Sequence, residues 1–284
     1  MSLGGLFSIE RGPSPREGAE PTQNQALLGD ATSRYRGVLD APPVVAHRGL
    51  RARFPENTLS AFRGAIKAGA RFLELDLQLS ADKVAIVHHD WTMERTCGAP
   101  DTIGDLSADE LSRLCASSSD RFGDAFRDEP LPTLEDACAL FAQHPDLTVF
   151  YEIKPQSIEH FGADTVLDAV LPHCEPLADR AVLLSFSQEV LLAARDRSPL
   201  ARGVAAEHHA DLSTPAIDAI DPVHVFCDVN LLPPAGPLAI DGRTLTVWEV
   251  ADPTQARALL ERGVDLIESY ACDTLIQALT STDQ

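Results

Sequence analysis

The chain has 284 residues, 44% of them hydrophobic and 23% charged, enough apolar residues for one large domain with a sizeable core and too few charges for wholesale disorder. With 23 Lys and Arg against 43 Asp and Glu, the formal net charge is −20. Such a surplus repels phosphate backbones and anionic lipid headgroups at long range, which argues against nucleic acid and anionic membranes as partners but admits a small phosphate ester received by a local cationic site or a metal. No stretch approaches 18 consecutive apolar residues, so no stable membrane insertion is expected. The first ten residues lack the basic start and long apolar run of a secretory signal. Cys97, Cys115, Cys138, Cys174, Cys227 and Cys272 are scattered, with no CxxC pair and no zinc spacing. They are read as free, mostly buried thiols in a reducing compartment, which places the protein in the cytoplasm.

Residues 1–40 are rich in Gly, Pro, Ser, Gln and charge without sustained periodicity, and are expected to be a tail with at most a short helix. From Pro43 a strand, loop, helix alternation begins. Val44 to His47 is a short apolar run with polar residues at its end. Residues 57–68 carry Leu59, Phe62, Ala65 and Ile66 at helical spacing, and Gly69 stops the helix. Strands are predicted at 72–79 and 84–88. Residues 91–131 then break the alternation with Cys97-Gly98-Ala99-Pro100, a short helix at 108–115 and a loop rich in Ser and Asp. A connection this long after a strand end is expected to be an active-site cover or a small subdomain. Thr133, with Glu135 and Asp136 in its first turn, opens a helix to residue 142, and 148–153 is a strand. Further strands are predicted at 181–185, 204–206, 224–227, 244–248 and 264–267, with helices at 158–171, 188–195, 253–262 and 272–279. The alternation predicts an α/β fold with parallel strands, a barrel domain over residues 41–284. Nine extended segments are one more than a closed eight-stranded barrel needs.

The strongest local signal is Phe72-Leu-Glu-Leu-Asp-Leu-Gln-Leu79. Successive side chains of a strand point to opposite faces, so the four leucines suit a helix layer while Glu74, Asp76 and Gln78 point into the barrel. Two like charges there are costly unless a hard divalent cation receives them. In Val149-Phe-Tyr-Glu-Ile-Lys-Pro155 the same parity gives Glu152 and Lys154 one face. Glu152 is read as a third carboxylate, or as half of a simple Glu–Lys pair at a strand end. His47-Arg48-Gly49 ends the first strand: Arg48 offers a donor fork for phosphate, Gly49 a sharp turn, and His47 a proton acceptor or donor near neutral pH. His89, before Asp90, closes another strand.

Together, His47-Arg48-Gly49, Pro55-Glu56-Asn57-Thr58, Glu74-Leu75-Asp76, His89-Asp90 and Glu152-Ile153-Lys154 resemble the glycerophosphodiester phosphodiesterase family in order and spacing. Leu131-Pro-Thr-Leu-Glu-Asp136, Thr246-Val-Trp248 and Gly263-Val-Asp-Leu-Ile267 extend the likeness over about residues 44–279. The resemblance implies a TIM (β/α)8 barrel of the phospholipase-C-like phosphodiesterase type, with an inserted segment after the third strand. It implies Glu74, Asp76 and Glu152 as ligands of one divalent cation, Mg²⁺ or Ca²⁺. It implies His47 and His89 as the acid/base pair and Arg48 and Lys154 as phosphate contacts, with Glu56 supporting the substrate site or touching the metal and Asn57 beside it in the substrate-binding set. The implied reaction is metal-dependent hydrolysis of a small glycerophosphodiester to an alcohol and sn-glycerol 3-phosphate, by a monomer or homodimer in lipid and glycerol metabolism. Lysophospholipase D-like or phosphoinositide phospholipase-like action on a lipid, and a non-catalytic binding barrel, are the competing readings.

The chain departs from the family pattern at Thr246-Val-Trp-Glu-Val250 and Ile267-Glu-Ser-Tyr270, and residues 231–243 are Pro-rich where a fuller helix is usual. These changes fall in the half that shapes the alcohol pocket. Trp248 is a candidate for its wall. Trp91 is read either as pocket lining or as packing.

Overall fold

Alternation of apolar and polar residues sets which face each strand turns to the core. A computed structural model describes residues 41–281, and the predicted tail lies outside these described residues. Strand β1 (Val44–Ala46) leads through a tight loop to helix α1 (Leu59–Lys67). Thr58 caps α1 by accepting from the Ala61 amide at 3.1 Å, and Ala61, Phe62 and Ala65 form its buried face. Then follow β2 (Phe72–Leu79) and β3 (Ala85–Val87).

The insertion carries three single-turn helices, α2 (Glu94–Cys97), α3 (Ala108–Leu111) and α4 (Ser119–Phe122). The insertion closes over a small core of its own, made of Ile86, Met93, Ile103, Leu111, Ala116 and Leu131, to which α4 adds no buried residue. The helix predicted at 108–115 therefore lasts one turn only. Ser107 and Glu110 form a capping box at its start, and Ser112 ends it.

The rest of the chain alternates regularly. Helix α5 (Leu134–Phe141) precedes β4 (Thr148–Ile153), and α6 (Pro155–Phe161) and α7 (Ala163–Cys174) precede β5 (Ala181–Ser185). Helix α8 (Gln188–Arg197), β6 (Ala201–Ala206), α9 (Pro215–Ile220), β7 (His224–Asp228) and β8 (Thr244–Trp248) follow. Helix α10 (Pro253–Glu261), β9 (Leu266–Ser269) and α11 (Cys272–Thr280) complete the fold. The single helix expected at 158–171 is two helices. Gly162, at φ 81°, leaves the helical region and ends α6, its amide bonding the Ile158 carbonyl. Strand β6 starts at Ala201 rather than 204, β9 runs to Ser269 rather than 267, and α9 was not anticipated.

Eight strands close into a parallel barrel in the order β1-β2-β4-β5-β6-β7-β8-β9, with β1 paired to both β2 and β9. The surplus strand is β3, which runs antiparallel along the end of β2 beyond the reach of the short β1. A tight turn at Ser80–Lys83, with Lys83 at φ 68°, folds it back.

Val45, Phe72, Phe150, Val182, Leu184, Ala205, Phe226 and Leu266 fill the barrel interior. Phe150 and Phe226 meet edge to face there at 5.0 Å, each buried phenyl contributing about 1.5–3 kcal/mol of transfer free energy. Leu73, Leu75, Leu77 and Leu79 face outward into the helix layer, and Glu74, Asp76 and Gln78 are buried on the other side of β2. No helix among the described residues is long and apolar enough to cross a membrane.

Candidate active site

The β2–β4 register sets Asp76 directly beside Glu152, both towards the C-terminal ends of their strands, where TIM barrels carry their chemistry. Glu74 lies one strand-step back on the same face. One carboxylate oxygen from each of the three can be chosen so that all lie within 4.8 Å of one another. Glu74 and Asp76 are 1% and 0% exposed, so water screens them little.

Two buried cations answer part of this charge. Lys154 Nζ lies 2.6 Å from Glu152 Oε1 and 3.2 Å from Asp76 Oδ1. Arg48 Nε approaches Asp76 Oδ2 at 3.0 Å without hydrogen-bond alignment. Asn57 orients Asp76 from both sides: its Nδ2 donates to Asp76 Oδ2 at 2.7 Å, and its Oδ1 accepts from the Asp76 amide at 3.2 Å.

Arg48 sits at the turn after β1 with φ 57°, followed by Gly49 at φ 79°. A Cβ on Gly49 would meet the Ala61 carbonyl carbon at 2.7 Å, so glycine is required where α1 crosses the turn. The turn aims the Arg48 amide at Glu74 Oε2 (3.0 Å) and its guanidinium at Glu56 Oε1 (2.9 Å). Left-handed backbone at a non-glycine residue is strain of the kind found at functional sites.

Three buried carboxylate oxygens, Glu74 Oε1, Asp76 Oδ1 and Glu268 Oε1, have no aligned hydrogen-bond donor among the described residues. Burial pushes the Glu74 carboxyl well above its usual range, and Asp76, Glu268 and Glu152 push it further. Burial also raises Asp76, but Arg48 and Lys154 outweigh it and hold Asp76 well below. Burial raises Glu152 as well. Unsatisfied buried carboxylates are expensive. A hard cation with oxygen ligands removes that cost, so this donor set fits a divalent ion.

The two histidines occupy different settings. His47 is buried after β1; its Nδ1 lies 3.1 Å from Glu249 Oε1 and its Nε2 3.9 Å from Glu74 Oε2. Burial, then Arg48, holds His47 below its ordinary value, while Glu249 works the other way. Glu249 also accepts from Arg51 at 2.9 Å. A neutral His47 with its proton on Nδ1 donates to Glu249 and leaves the Nε2 lone pair facing the carboxylates. His89 Nδ1 lies 2.6 Å from Asp90 Oδ1. The neighbouring His88 is turned away and buried, its ring nitrogens held by the Asp90 carbonyl and Thr96 Oγ1 at 2.8 Å each.

Arg95, from α2 of the insertion, joins the parts. Its NH1 and NH2 fork onto Glu56 at 2.9 and 2.7 Å, and its Nε donates to Asp90 Oδ2 at 2.6 Å. A continuous ionic chain thus runs Arg48, Glu56, Arg95, Asp90, His89. Burial raises the Glu56 carboxyl, but Arg95 and Arg48 together bring it down to about 2.

A cavity of about 150 Å³ opens over these groups. His47, Arg48, His89, Glu152, Lys154 and Glu268 line one side; Leu184, Phe186, Ala205, Phe226 and Trp248 line the other. Phe186 and Trp248 meet edge to face at 5.7 Å. Glu56 and Asn57, expected at the substrate, do not line this cavity and instead hold Arg48 and Asp76. Trp91 does not line it either; it packs on His160 at 5.3 Å and closes over Gly104, where a Cβ would lie 2.4 Å from its ring. Glu249, Glu268 and Arg95 belong to the site although their chemistry was not anticipated from sequence. For Glu268 a signal existed, because strand parity places it on the face of Leu266.

A parallel barrel whose mouth gathers buried carboxylates, two histidines, Arg48 and Lys154 is the architecture of a phosphodiesterase-like TIM barrel. A phosphodiesterase from Oleispira antarctica, solved in complex with the product sn-glycerol-3-phosphate, shares this fold at a TM-score of 0.73, with 22% identity over 88% of this chain and 99% of its own. The glycerophosphoryl diester phosphodiesterase family pattern matches residues 47–269, and the chain belongs to that family. Glycerophosphodiester phosphodiesterase 1 of Bos taurus is 34% identical over 152 residues, which is 54% of this chain and 45% of that protein. The chain thus spans less than half the length of the mammalian relatives it matches. A glycerophosphodiester phosphodiesterase of Caldanaerobacter subterraneus subsp. tengcongensis is 29% identical over 241 residues, covering 82% of this chain and 96% of that one.

Proposed function

We propose that this protein hydrolyses a small glycerophosphodiester to an alcohol and sn-glycerol 3-phosphate with a divalent cation held by Glu74, Asp76 and Glu152. The convergence of three buried carboxylates beside His47 carries the reading. When bound, the cation neutralises phosphate charge and acidifies a glycerol hydroxyl.

The chain's own residues supply the rest. Arg48 and Lys154 line the cavity and take phosphate oxygens, Arg48 through a planar fork and Lys154 as a point charge. His47, neutral with Nε2 free, is the base that removes the proton of the glycerol 2-hydroxyl. That oxygen attacks phosphorus and gives a cyclic phosphate. His89, its Nδ1 proton held by Asp90, donates from Nε2 to the leaving alcohol. Water then opens the ring with the roles of the two histidines reversed. The apolar wall of Leu184, Phe226 and Trp248 takes the alcohol side of the substrate.

All six cysteines are free thiols, which suits a reducing compartment and a cytoplasmic location.

The test is release of sn-glycerol 3-phosphate from glycerophosphocholine by chelator-treated protein, before and after adding Mg²⁺ or Ca²⁺. Activity restored by cation in the wild type and absent in Glu152→Gln supports the assignment. Full Glu152→Gln activity at saturating cation overturns it. A substrate lacking the 2-hydroxyl separates the routes, because full turnover of it excludes the cyclic phosphate.

A further inference from the structure

We propose that Glu268 is a fourth carboxylate ligand of the cation cage and tunes the site to Ca²⁺ over Mg²⁺. The proposal rests on the reading that Glu74, Asp76 and Glu152 hold a divalent ion. Glu268 comes from β9, across the barrel from Glu152. In β9, Ile267 packs outward into the helix layer while Leu266 faces the barrel interior, so parity sends Glu268 inward. There it is 4% exposed and lines the same cavity as Glu152.

No cation pairs with it directly; Arg48 acts on it only from beyond ion-pair distance. Glu249 is paired with Arg51, and Glu56 with Arg48 and Arg95. Among the described residues no Lys or Arg forms an ion pair with Glu268, and its Oε1 has no aligned donor. One oxygen of Glu268 lies within 4.8 Å of a Glu74 oxygen and a His47 nitrogen. Four buried carboxylates (Glu74, Asp76, Glu152 and Glu268) face only Arg48 and Lys154, and Arg48 is shared with Glu56. With all four ionised, at least two negative charges would be left over; a divalent cation would match them, and without one burial drives Glu74 and Glu268 to hold protons instead. An isolated carboxylate this deep is otherwise too costly to keep.

The number of carboxylates decides the ion. Mg²⁺ is small, keeps several waters and is usually held by one or two carboxylates, whereas Ca²⁺ accepts six to eight oxygens in looser geometry. Four carboxylates from three strands suit the larger ion. His47 is not needed as a ligand: Ca²⁺ prefers oxygen to imidazole, and the Nε2 of His47 serves as the base in the reaction proposed above.

Isothermal titration calorimetry of chelator-stripped protein with Ca²⁺ and with Mg²⁺ tests this without recourse to activity. The wild type is expected to bind Ca²⁺ at least about tenfold more tightly than Mg²⁺. Glu268→Gln is expected to weaken Ca²⁺ by about tenfold or more and Mg²⁺ by no more than about threefold, abolishing the preference. Unchanged Ca²⁺ affinity in Glu268→Gln, with binding lost in Glu152→Gln, overturns the role of Glu268 and leaves the three-carboxylate site standing. Undiminished binding in both variants overturns both. Glu268→Gln in the metal-free state is expected to melt no lower than metal-free wild type, since it replaces a buried carboxyl that has no ion-pair partner and an Oε1 with no aligned donor. A melt several degrees lower contradicts that assignment. Glu268→Asp, which keeps the charge on a shorter arm, is expected to bind Ca²⁺ with intermediate affinity, and affinity equal to that of Glu268→Gln contradicts a role for its charge.

Discussion

Replacing Glu249 by Gln isolates the electrostatic part of the His47 arrangement. Glu249 Oε1 lies 3.1 Å from His47 Nδ1, and its other oxygen is held by Arg51. Burial pushes the Glu249 carboxyl up, but His47 and Arg51 outweigh it, so the residue is ionised at neutral pH. The anion favours protonated His47 and opposes the lowering by burial and Arg48. Its removal therefore lowers the His47 pKa further. A hydrogen bond to a charged group is worth about 1.5–3 kcal/mol. At 1.36 kcal/mol per pH unit that is roughly one to two units. Gln retains an acceptor and the Glu249 side chain is 23% exposed, so about one unit is expected. The assay is kcat/KM against pH at constant ionic strength. The acid limb, set by protonation of the base in the free enzyme, should move to lower pH by about one unit. A limb that stays in place or moves up would refute His47 as the base oriented by Glu249.

Other perturbations test other parts of the account. His47→Ala and His89→Ala should each lower kcat by about two to four orders of magnitude, the usual scale for a general acid or base, with thermal melting little changed; a loss below tenfold in either speaks against its role. Arg95→Ala should cut kcat about tenfold through loosened Asp90 and His89, and Arg95→Lys should not restore it, because lysine cannot fork onto Glu56 while holding Asp90. Full rescue by lysine would contradict the relay. Phe62, fully buried and edge-on to Phe141 at 5.4 Å, should cost about 3–5 kcal/mol in urea unfolding when changed to Ala. A cost under about 1 kcal/mol would show that the α1–α5 contact is not part of the core.

How far the sequence could be read depended on whether the information was local. The faces of β2 and β4 follow from a period of two, so the sequence alone places Glu74, Asp76, Glu152 and Lys154 inside a barrel. The identity of the surplus strand could not be read so, because the direction of β3 is set by a turn at Lys83 and by the shortness of β1. The break at Gly162 was masked by apolar periodicity that runs through both α6 and α7. Arg95 gave no signal of its own, since its meaning comes from Glu56, distant in sequence, and from the docking of the insertion. Glu249 was visible only as a departure from the family pattern, and Glu268 as such a departure and by its strand parity with Leu266. Their significance, a partner for His47 and an unmatched carboxylate over the cation cage, required the closed barrel.

The most direct test of the central claim is ³¹P NMR of glycerophosphocholine incubated with the protein, with and without a divalent cation. The expected final phosphorus product is sn-glycerol 3-phosphate, formed only when the cation is present. Phosphocholine as product, or equal turnover in excess chelator, would contradict it.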